Sequence, residues 1–169
     1  MKQNLCILFA GPTGSSKTPI ATYLSWNLGL PVFNNDAIRS EVAEDLGVFD
    51  QAVFEARRDA RSKQLIFSSK SFIYDASIDR EWLKLDGWLR SNNYTVYIIS
   101  LDLSRSLLEK MYIVKEYDES LTMLDRLIED HSCFLSNYGD KVNFHITDKT
   151  FGDRLDLSLS AVRSMFGLA

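Results

Sequence analysis

The sequence predicts an α/β fold in which a five-stranded parallel sheet is covered by helices on both faces. Two observations lead to this prediction. Short apolar runs alternate with helical patterns along the whole chain, and parallel strands need such crossover helices between them. A Gly-rich segment, residues 11–18, joins the first apolar run to the first helical pattern. At this length we expect residues 1–169 to form one domain.

The first half of the chain contains three short apolar runs typical of buried strands. A Gly at position 29 ends the first helical pattern, as glycine commonly does after a helix. The predicted strands are residues 4–10, 30–34 and 71–74, and the predicted helices are residues 17–28, 37–46, 51–69 and 80–92.

The second half continues the alternation. Residues 95–101 form the most β-like segment of the chain because β-branched and aromatic residues dominate it. Two helices are predicted at 104–114 and 121–137, with a polar break at 115–119 between them. A last strand at 142–146 and a last helix at 155–166 complete the pattern.

Composition excludes several classes of function. The net charge of −4 gives no overall attraction to nucleic acid or to an anionic membrane, and no run approaches the roughly 18 apolar residues of a membrane span. Cys6 and Cys133 are far apart and lack the spacing of a metal site. Two such cysteines indicate reduced thiols and a cytoplasmic location.

The segment from Gly11 to Thr18 nearly matches the phosphate-binding pattern G-x-x-x-x-G-K-[ST]. In that pattern backbone N–H groups surround the phosphates, the Lys reaches the outer ones and the hydroxyl binds Mg²⁺. We therefore expect ATP and Mg²⁺ as cofactors; the alternative is a Gly-rich turn between a strand and a helix. The expected nucleotide-binding residues are Gly11, Pro12, Thr13, Gly14, Ser15, Ser16, Lys17 and Thr18.

Ser16 departs from this pattern because it occupies the position of the second glycine. Glycine there allows unusual backbone angles and a close approach of the phosphate, so a serine predicts strain or weaker binding. Pro19 follows the motif, and the first turn of a helix has no internal use for the N–H that proline lacks.

Polar residues also follow the second and third predicted strands. Asp36 and Arg39 lie three residues apart at the start of a helix, so their side chains share a face and could accept a hydroxyl proton and hold an acceptor. The alternative for Asp36 is a helix cap. Asp75 closes the third apolar run and, with Thr18, is the expected ligand of Mg²⁺.

Together these residues resemble the small P-loop kinases, a group that includes polynucleotide 5′-kinases, zeta toxins, chloramphenicol phosphotransferase and gluconate kinase. The resemblance covers most of the chain and implies a three-layer P-loop NTPase fold with a small helical lid. It also implies that Asp36 is the general base and that Arg39 contacts an acceptor phosphate. Shikimate kinase is a more distant comparison, because its Gly-rich substrate loop has no counterpart here.

The resemblance further implies a lid that carries arginines over the transferred phosphoryl group. The corresponding segment, residues 107–115, contains Lys110 and Lys115 but no arginine. We expect Lys110 to contact the nucleotide; the alternative is a solvated surface lysine. Arg105, just upstream, is a substitute candidate. A lysine lacks the planar fork of arginine, so a slow or inactive enzyme would follow from this departure.

Other side chains have weaker signals. Arg57 or Arg58, in an arginine-rich helix, is a candidate for holding an anionic group on the acceptor; the alternative is a solvated face. His131 and His145 show no metal spacing, and we expect structural or surface roles for both. The aromatic residues expected to serve packing rather than base stacking are Trp82, Trp88 and Tyr94.

The sequence therefore favours a kinase that transfers the γ-phosphate of MgATP to a hydroxyl acceptor, with Lys17, Asp36, Arg39 and Asp75 as catalytic residues. A small-molecule acceptor is slightly favoured over a nucleic-acid 5′ end. A nucleotide-binding module without turnover is the second hypothesis. A third, less favoured one is a relative of tRNA prenyltransferases, which share a Gly-Pro-Thr opening but are much longer chains.

Overall fold

A computed structural model describes residues 4–167 and contains one sheet of five parallel strands in the order β2-β3-β1-β4-β5. This agrees with the predicted fold class. The strands are β1 (Asn4–Ala10), β2 (Val32–Asn34), β3 (Phe72–Ser77), β4 (Tyr94–Asp102) and β5 (Phe144–Thr147). The helices are α1 (Lys17–Leu28), α2 (Asn35–Leu46), α3 (Gln51–Phe67), α4 (Trp82–Ser91), α5 (Arg105–Val114), α6 (Asp118–Thr122), α7 (Leu124–Tyr138) and α8 (Arg154–Phe166).

The central strand β1 divides the interior into two apolar cores because its side chains alternate between the faces of the sheet. Ile7 and Phe9 are fully buried in the core beneath α1, α5 and α8. Cys6 and Leu8 are fully buried in the core beneath α2, α3 and α4. Both cores hold the carboxyl ends of the strands at one edge, where ligands of such sheets bind.

The aromatic residues of the second core pack as the sequence predicts. Trp82 is buried and makes an edge-to-face contact with Phe134, with ring centroids 6.3 Å apart. Tyr94 is also buried, and its hydroxyl donates to the backbone oxygen of Lys70 at 2.8 Å. No helix among residues 4–167 has the length and apolar character of a membrane span.

Several predicted boundaries differ from the structure by one to three residues, and two of the differences bear on the site. Strand β3 continues to Ser77, so Asp75 lies inside the strand rather than after it. The pairing of Asn34 with Asp75 in the sheet explains the extension, since β2 supplies a partner that a local pattern does not reveal. The polar break is shorter than predicted, because α6 already begins at residue 118. The single helix predicted at 121–137 is wrong, because α6 ends at Thr122 and α7 begins at Leu124.

Candidate active site

A cleft of about 1070 Å³ opens at the carboxyl ends of the strands. The loop at residues 11–18, called the phosphate loop below, forms one wall, and the start of α2 together with α3 forms another. The end of β3 forms the floor, and the segment after α5 closes one side. This is the edge of the sheet at which the strand pattern predicts the chemistry.

The phosphate loop leaves β1 through two glycines with left-handed backbone angles. Gly11 has φ 133°, and its N–H donates to the carboxylate of Asp79 at 3.1 Å. Gly14 has φ 74°, and a Cβ there would lie 2.9 Å from the ring of Tyr112. Both positions need glycine, because a side chain would be strained in each and would crowd the neighbours.

Lys17 lies on the inner side of this loop and is buried. Its Nζ donates to the backbone oxygens of Gly11 and Pro12, at 2.9 and 2.5 Å. Burial lowers the pKa of Lys17 to about 8, although the nearby carboxylates of Asp75 and Asp79 oppose the change. The ammonium is thus positioned within the loop that would hold an anion.

The hydroxyl of Thr18 lies next to the carboxylate of Asp75. Thr18 Oγ1 donates to Asp75 Oδ1 at 3.1 Å, and Asn34 Nδ2 donates to Asp75 Oδ2 at 3.0 Å. Burial raises the pKa of Asp75, while the bond from Thr18 and the charge of Lys17 oppose the rise. The expected pair of metal ligands is therefore brought together.

This donor set suits Mg²⁺. That ion prefers oxygen ligands and is usually bound by one or two carboxylates together with substrate phosphates. Thr18 and Asp75 supply one hydroxyl and one carboxylate beside the phosphate loop. Residues 4–167 contain no group of three or more His, Cys, Asp or Glu side chains arranged to hold a metal. Phosphate oxygens would have to complete the coordination.

Asp36 lies across the cleft, in the first turn of α2. The cap of this helix is Asn34, whose side-chain oxygen accepts the N–H of Ala37 at 3.0 Å. The alternative of a capping role for Asp36 is therefore wrong. Asp36 is exposed to the cleft and lies close enough to Lys17 to counteract the lowering of its pKa.

Arg39 lines the same side of the cleft as Asp36. Its guanidinium carbon lies 4.0 Å from the centre of the Phe49 ring, a distance typical of a cation–π contact. The ring holds the guanidinium in place without neutralising its charge. Asp36 and Arg39 therefore present a carboxylate and a cation side by side, as their spacing predicts.

Ser16 has the strained backbone that its position predicts. Its φ is 83°, and it precedes α1 without a side-chain cap for that helix. Its Oγ instead accepts a hydrogen bond of 2.8 Å from Nε of Arg154, the first residue of α8. The hydrogen bond from Arg154 therefore holds the Ser16 side chain in a place that a glycine would leave empty.

The segment expected to form the lid is attached to the phosphate loop at two points. The hydroxyl of Tyr112 donates to the backbone oxygen of Thr13, and Lys115 Nζ donates to that of Gly14 at 2.7 Å. Lys110 is exposed on α5 and is not among the residues that line the cleft, whereas Lys115 is. Since Tyr112 is fully buried, α5 is part of the core rather than of a free lid.

Arg105 does not substitute for a lid arginine, because it forms an ion pair with Asp125. The two residues are largely exposed, and Arg105 does not line the cleft. The guanidinium next to the phosphate loop comes instead from Arg154, in α8.

The arginines of α3 are all paired with carboxylates. Arg57 contacts Asp45 at 2.6 Å, and Arg61 contacts Glu41 on the neighbouring helix. The remaining arginine, which is buried and lines the cleft, is bonded at 3.0 and 3.4 Å to two carboxylates. These are Arg58, Asp59 and Glu81. The positive charge of this helix is therefore largely neutralised.

A chain of hydrogen-bonded polar side chains extends from the phosphate loop to β5. Asp79 bonds to Nδ1 of His131 at 3.2 Å, and Nε2 of His131 lies 3.0 Å from Asp102. Asp102 also accepts a bond from Nδ1 of His145 at 2.5 Å. Both histidines therefore have a structural role, because each bonds to the carboxylate of Asp102.

This chain fixes a charged histidine inside the protein. Burial opposes the charged form, but bonds to Asp102 and Asp79 raise the pKa of His131 to about 9. The pKa of Asp102 is lowered to about 2, because bonds from His131, Ser100 and His145 outweigh its burial.

Four residues at the site were not identified from the sequence: Asn34, Asp79, His131 and Arg154. Asn34 is the last residue of the second strand, so the same strand-end reasoning that identified Asp36 also applied to it. Asp79 lies just beyond β3. His131 and Arg154 reach the site over long sequence separations, and no local pattern signals them.

Comparison with known proteins gives matches among solved structures only. No family model and no curated protein matches the chain. A gluconokinase from Sinorhizobium meliloti 1021 has TM-score 0.69 at 14% identity, over 98% of this chain and 95% of that one. The tunicamycin resistance protein of Deinococcus radiodurans has TM-score 0.63 at 16% identity, over 99% and 98%.

A third match is the APS kinase of Mycobacterium tuberculosis in complex with AMPPNP and APS. Its TM-score is 0.56 at 15% identity, over 95% of this chain and 97% of that chain. At such identities the likeness concerns the fold rather than the activity. The strand order, the phosphate loop and these matches together establish that this chain has the fold of the small P-loop kinases.

Proposed function

We propose that this protein is an ATP-dependent kinase that transfers the γ-phosphate of MgATP to a hydroxyl group of a small molecule. One observation carries the proposal. One cleft brings together Lys17 and Thr18 of the phosphate loop and the carboxylate of Asp36, which does not cap its helix. A site for binding alone has use for the first two residues, but it has no use for a free carboxylate facing them.

The phosphate loop and Lys17 would hold the triphosphate. Backbone N–H groups of the loop donate to phosphate oxygens, and the ammonium of Lys17 balances charge at the outer phosphates. Thr18 and Asp75 would hold Mg²⁺, which neutralises charge on the phosphates. Asn34 keeps the Asp75 carboxylate in place through its 3.0 Å bond. Catalysis by these groups is mostly positioning and charge neutralisation.

Asp36 would accept the proton of the acceptor hydroxyl. Its helix is capped by Asn34, so the Asp36 carboxylate is available for this task. Arg39 lies on the same wall and would orient the acceptor through hydrogen bonds from a guanidinium held against Phe49. A positioned general base typically contributes a factor of about 10²–10⁴ in rate.

Charge favours a small acceptor over a nucleic-acid 5′ end. Carboxylates outnumber cations among the residues that line the cleft, and Arg58 is bonded to two of them. Arg57 points away from the cleft to Asp45. Nucleic-acid binding depends on unpaired basic groups along the path of the backbone phosphates. On the wall that α2 and α3 form, Arg39 is the arginine without a carboxylate partner among the described residues, and one cation is a poor basis for such binding.

A nucleotide-binding module with little turnover is the second candidate. The left-handed Ser16, with φ 83°, and the absence of arginine from residues 107–115 favour it. Both features weaken charge stabilisation at the transferred phosphoryl group, which is often worth a factor of about 10³ or more. The Asp36 carboxylate favours the kinase instead.

Calorimetry of ATP binding tests the nucleotide site. Lys17→Ala should weaken ATP binding at least tenfold, because the outer phosphates lose their buried cation. Lys70→Ala, which removes an exposed lysine outside the cleft, is the matched control and should bind as the parent does. Equal affinity of the parent and Lys17→Ala would contradict the proposed site.

A turnover screen tests the acceptor class. The parent is incubated with MgATP and either polyols, sugars, nucleosides and amino alcohols or 5′-hydroxyl oligonucleotides. We expect ADP release to rise with a member of the first group only. A rise with oligonucleotides alone would contradict the small-molecule acceptor and leave the kinase activity itself supported.

A further inference from the structure

Arg154 reaches the phosphate loop from the opposite end of the chain. Its Nε donates to Ser16 Oγ at 2.8 Å, and its Nη1 donates to the backbone oxygen of Phe151 at 2.9 Å. Its guanidinium carbon lies 4.2 Å from the centre of the Phe151 ring. Because three contacts already fix the guanidinium, a ligand that binds it would cost little further side-chain entropy.

Most hydrogen-bond donors of this guanidinium remain free. Arginine has five N–H donors, and the two bonds above occupy one on Nε and one on Nη1. Nη2 forms no hydrogen bond to any residue within 4–167. The side chain is half-buried, so bulk water hydrates these donors only in part. They form a planar fork of the kind that binds phosphate oxygens.

A second cation lies close to Arg154. Lys115 is bonded to the backbone oxygen of Gly14, two residues before Ser16. Burial and the charge of Arg154 both lower the pKa of Lys115. Two like charges beside one loop repel each other, and an anion bound between them would relieve that repulsion.

The phosphate loop itself lacks one donor. The first N–H groups of a helix have no partner within it and are the groups that bind phosphate at a helix start. Helix α1 begins at Lys17, so Pro19 falls in its first turn and supplies no N–H. A phosphate at this helix start therefore has one backbone donor fewer than usual, and Arg154 contacts Ser16, the residue just before that helix.

We propose that Arg154 binds the phosphate chain of the nucleotide, as an arginine of the triphosphate site supplied by α8 rather than by the lid. The ligand class is a nucleoside di- or triphosphate, and Ser16 is the residue that positions the guanidinium. This inference rests on the proposed nucleotide site. Arg154 is not itself among the residues that line the cleft, and it reaches the site through Ser16, which is.

Calorimetry with ADP and with ATP tests the role of Arg154. Arg154→Ala should weaken both affinities by roughly tenfold to a hundredfold, since a hydrogen bond to a charged group is lost. Arg154→Lys should fall between the parent and Arg154→Ala, because it keeps the charge and loses the fork. Arg163→Ala removes the same charge farther along α8, from a residue with no bond to the phosphate loop among residues 4–167, and should bind as the parent does.

Three results separate the outcomes. If Arg154→Ala and Arg154→Lys both bind like the parent while Lys17→Ala binds weakly, the role of Arg154 is overturned and the nucleotide site stands. If Arg154→Ala lowers the affinity for adenosine as much as it lowers the affinity for ATP, the arginine does not bind the phosphate chain, which also overturns the inference. If the parent binds no nucleotide, the proposed function fails first. Thermal unfolding checks each variant, and Arg154→Lys decides if Arg154→Ala does not fold.

Discussion

His131 and Asp79 form a buried pair that connects helix α7 to the phosphate loop. Nδ1 of His131 lies 3.2 Å from Oδ1 of Asp79, and the same carboxylate accepts the N–H of Gly11 at 3.1 Å. The side chains are 9% and 6% exposed, so solvent screens the pair only weakly. The first residue of the loop is therefore held by a group that depends on the charge of a histidine.

This pair predicts a loss of stability in mild alkali. The folded pKa of His131 is about 9, above the ordinary 6.5, so its contribution is complete below pH 6.5 and disappears as the pH rises through 9. Urea unfolding of the parent should show a falling free energy of unfolding between pH 6.5 and 8, by at most about 1.4 kcal/mol per pH unit from one proton. Above pH 8 the lowered pKa of Lys17 acts in the opposite direction, because the unfolded chain keeps a proton that the folded protein releases. His131→Gln should lose that dependence.

His145→Gln is the control for this experiment. His145 bonds to the other oxygen of Asp102, but its side chain is 47% exposed and does not contact Asp79. We expect this variant to keep the alkaline decline of the parent. A decline that persists in His131→Gln would show that another group controls the pH dependence. Asp102 gives the opposite sign: with a folded pKa of about 2 below the ordinary 3.8, its contribution is lost in acid.

Ser16 gives a prediction about strain. Ser16→Ala keeps a side chain at φ 83° and loses the contact to Arg154, whereas Ser16→Gly loses the contact and relieves the strain. A left-handed residue other than glycine costs roughly 1 kcal/mol. In urea unfolding, Ser16→Gly should therefore be more stable than Ser16→Ala by about that amount. Equal stability of the two variants would show that φ 83° costs nothing here.

Substitutions of Lys115 and Lys110 test which lysine of residues 107–115 contacts the nucleotide. Lys115 contacts Gly14 in the phosphate loop, and Lys110 is exposed outside the cleft. Lys115→Ala should lower ATP affinity several-fold, while Lys110→Ala should leave it unchanged. Calorimetry on both variants checks this. The reverse order would restore Lys110 to the nucleotide site and contradict the position of Lys115.

Local patterns were sufficient for the fold. A continuous apolar run such as residues 4–10 predicts a strand buried on both faces, and helical spacing between such runs predicts parallel connections. The same alternation located Asp36 at the right edge of the sheet. It did not show that Asn34 caps α2, because Asn34 and Asp36 are both good capping residues and only the backbone decides between them.

Contacts between distant residues could not be predicted in this way. Arg154 and Ser16 are 138 residues apart, and each belongs to an unremarkable local pattern. The burial of Tyr112 likewise depends on the packing of α5 against the phosphate loop, which made α5 part of the core and Lys115 the lysine of the cleft. Spacing along one helix cannot reveal which face a distant loop will cover.

In the proposed function, Asp36 takes part in phosphoryl transfer and not in nucleotide binding. Asp36 lines the cleft opposite the phosphate loop and does not cap its helix. Asp36→Asn should therefore leave ATP affinity nearly intact and slow phosphoryl transfer by about 10²–10⁴. Glu44→Gln, which changes an exposed carboxylate of the same helix outside the cleft, is the control and should leave both quantities unchanged.

The most direct measurement is single-turnover transfer of labelled phosphate from ATP to the acceptor found in the screen, in parent and Asp36→Asn at equal ATP occupancy. The account predicts transfer by the parent and a loss of at least a hundredfold in Asp36→Asn, with ATP affinity preserved. Equal rates in the two proteins would contradict it, and so would a parent that binds ATP but transfers no phosphate to any hydroxyl compound.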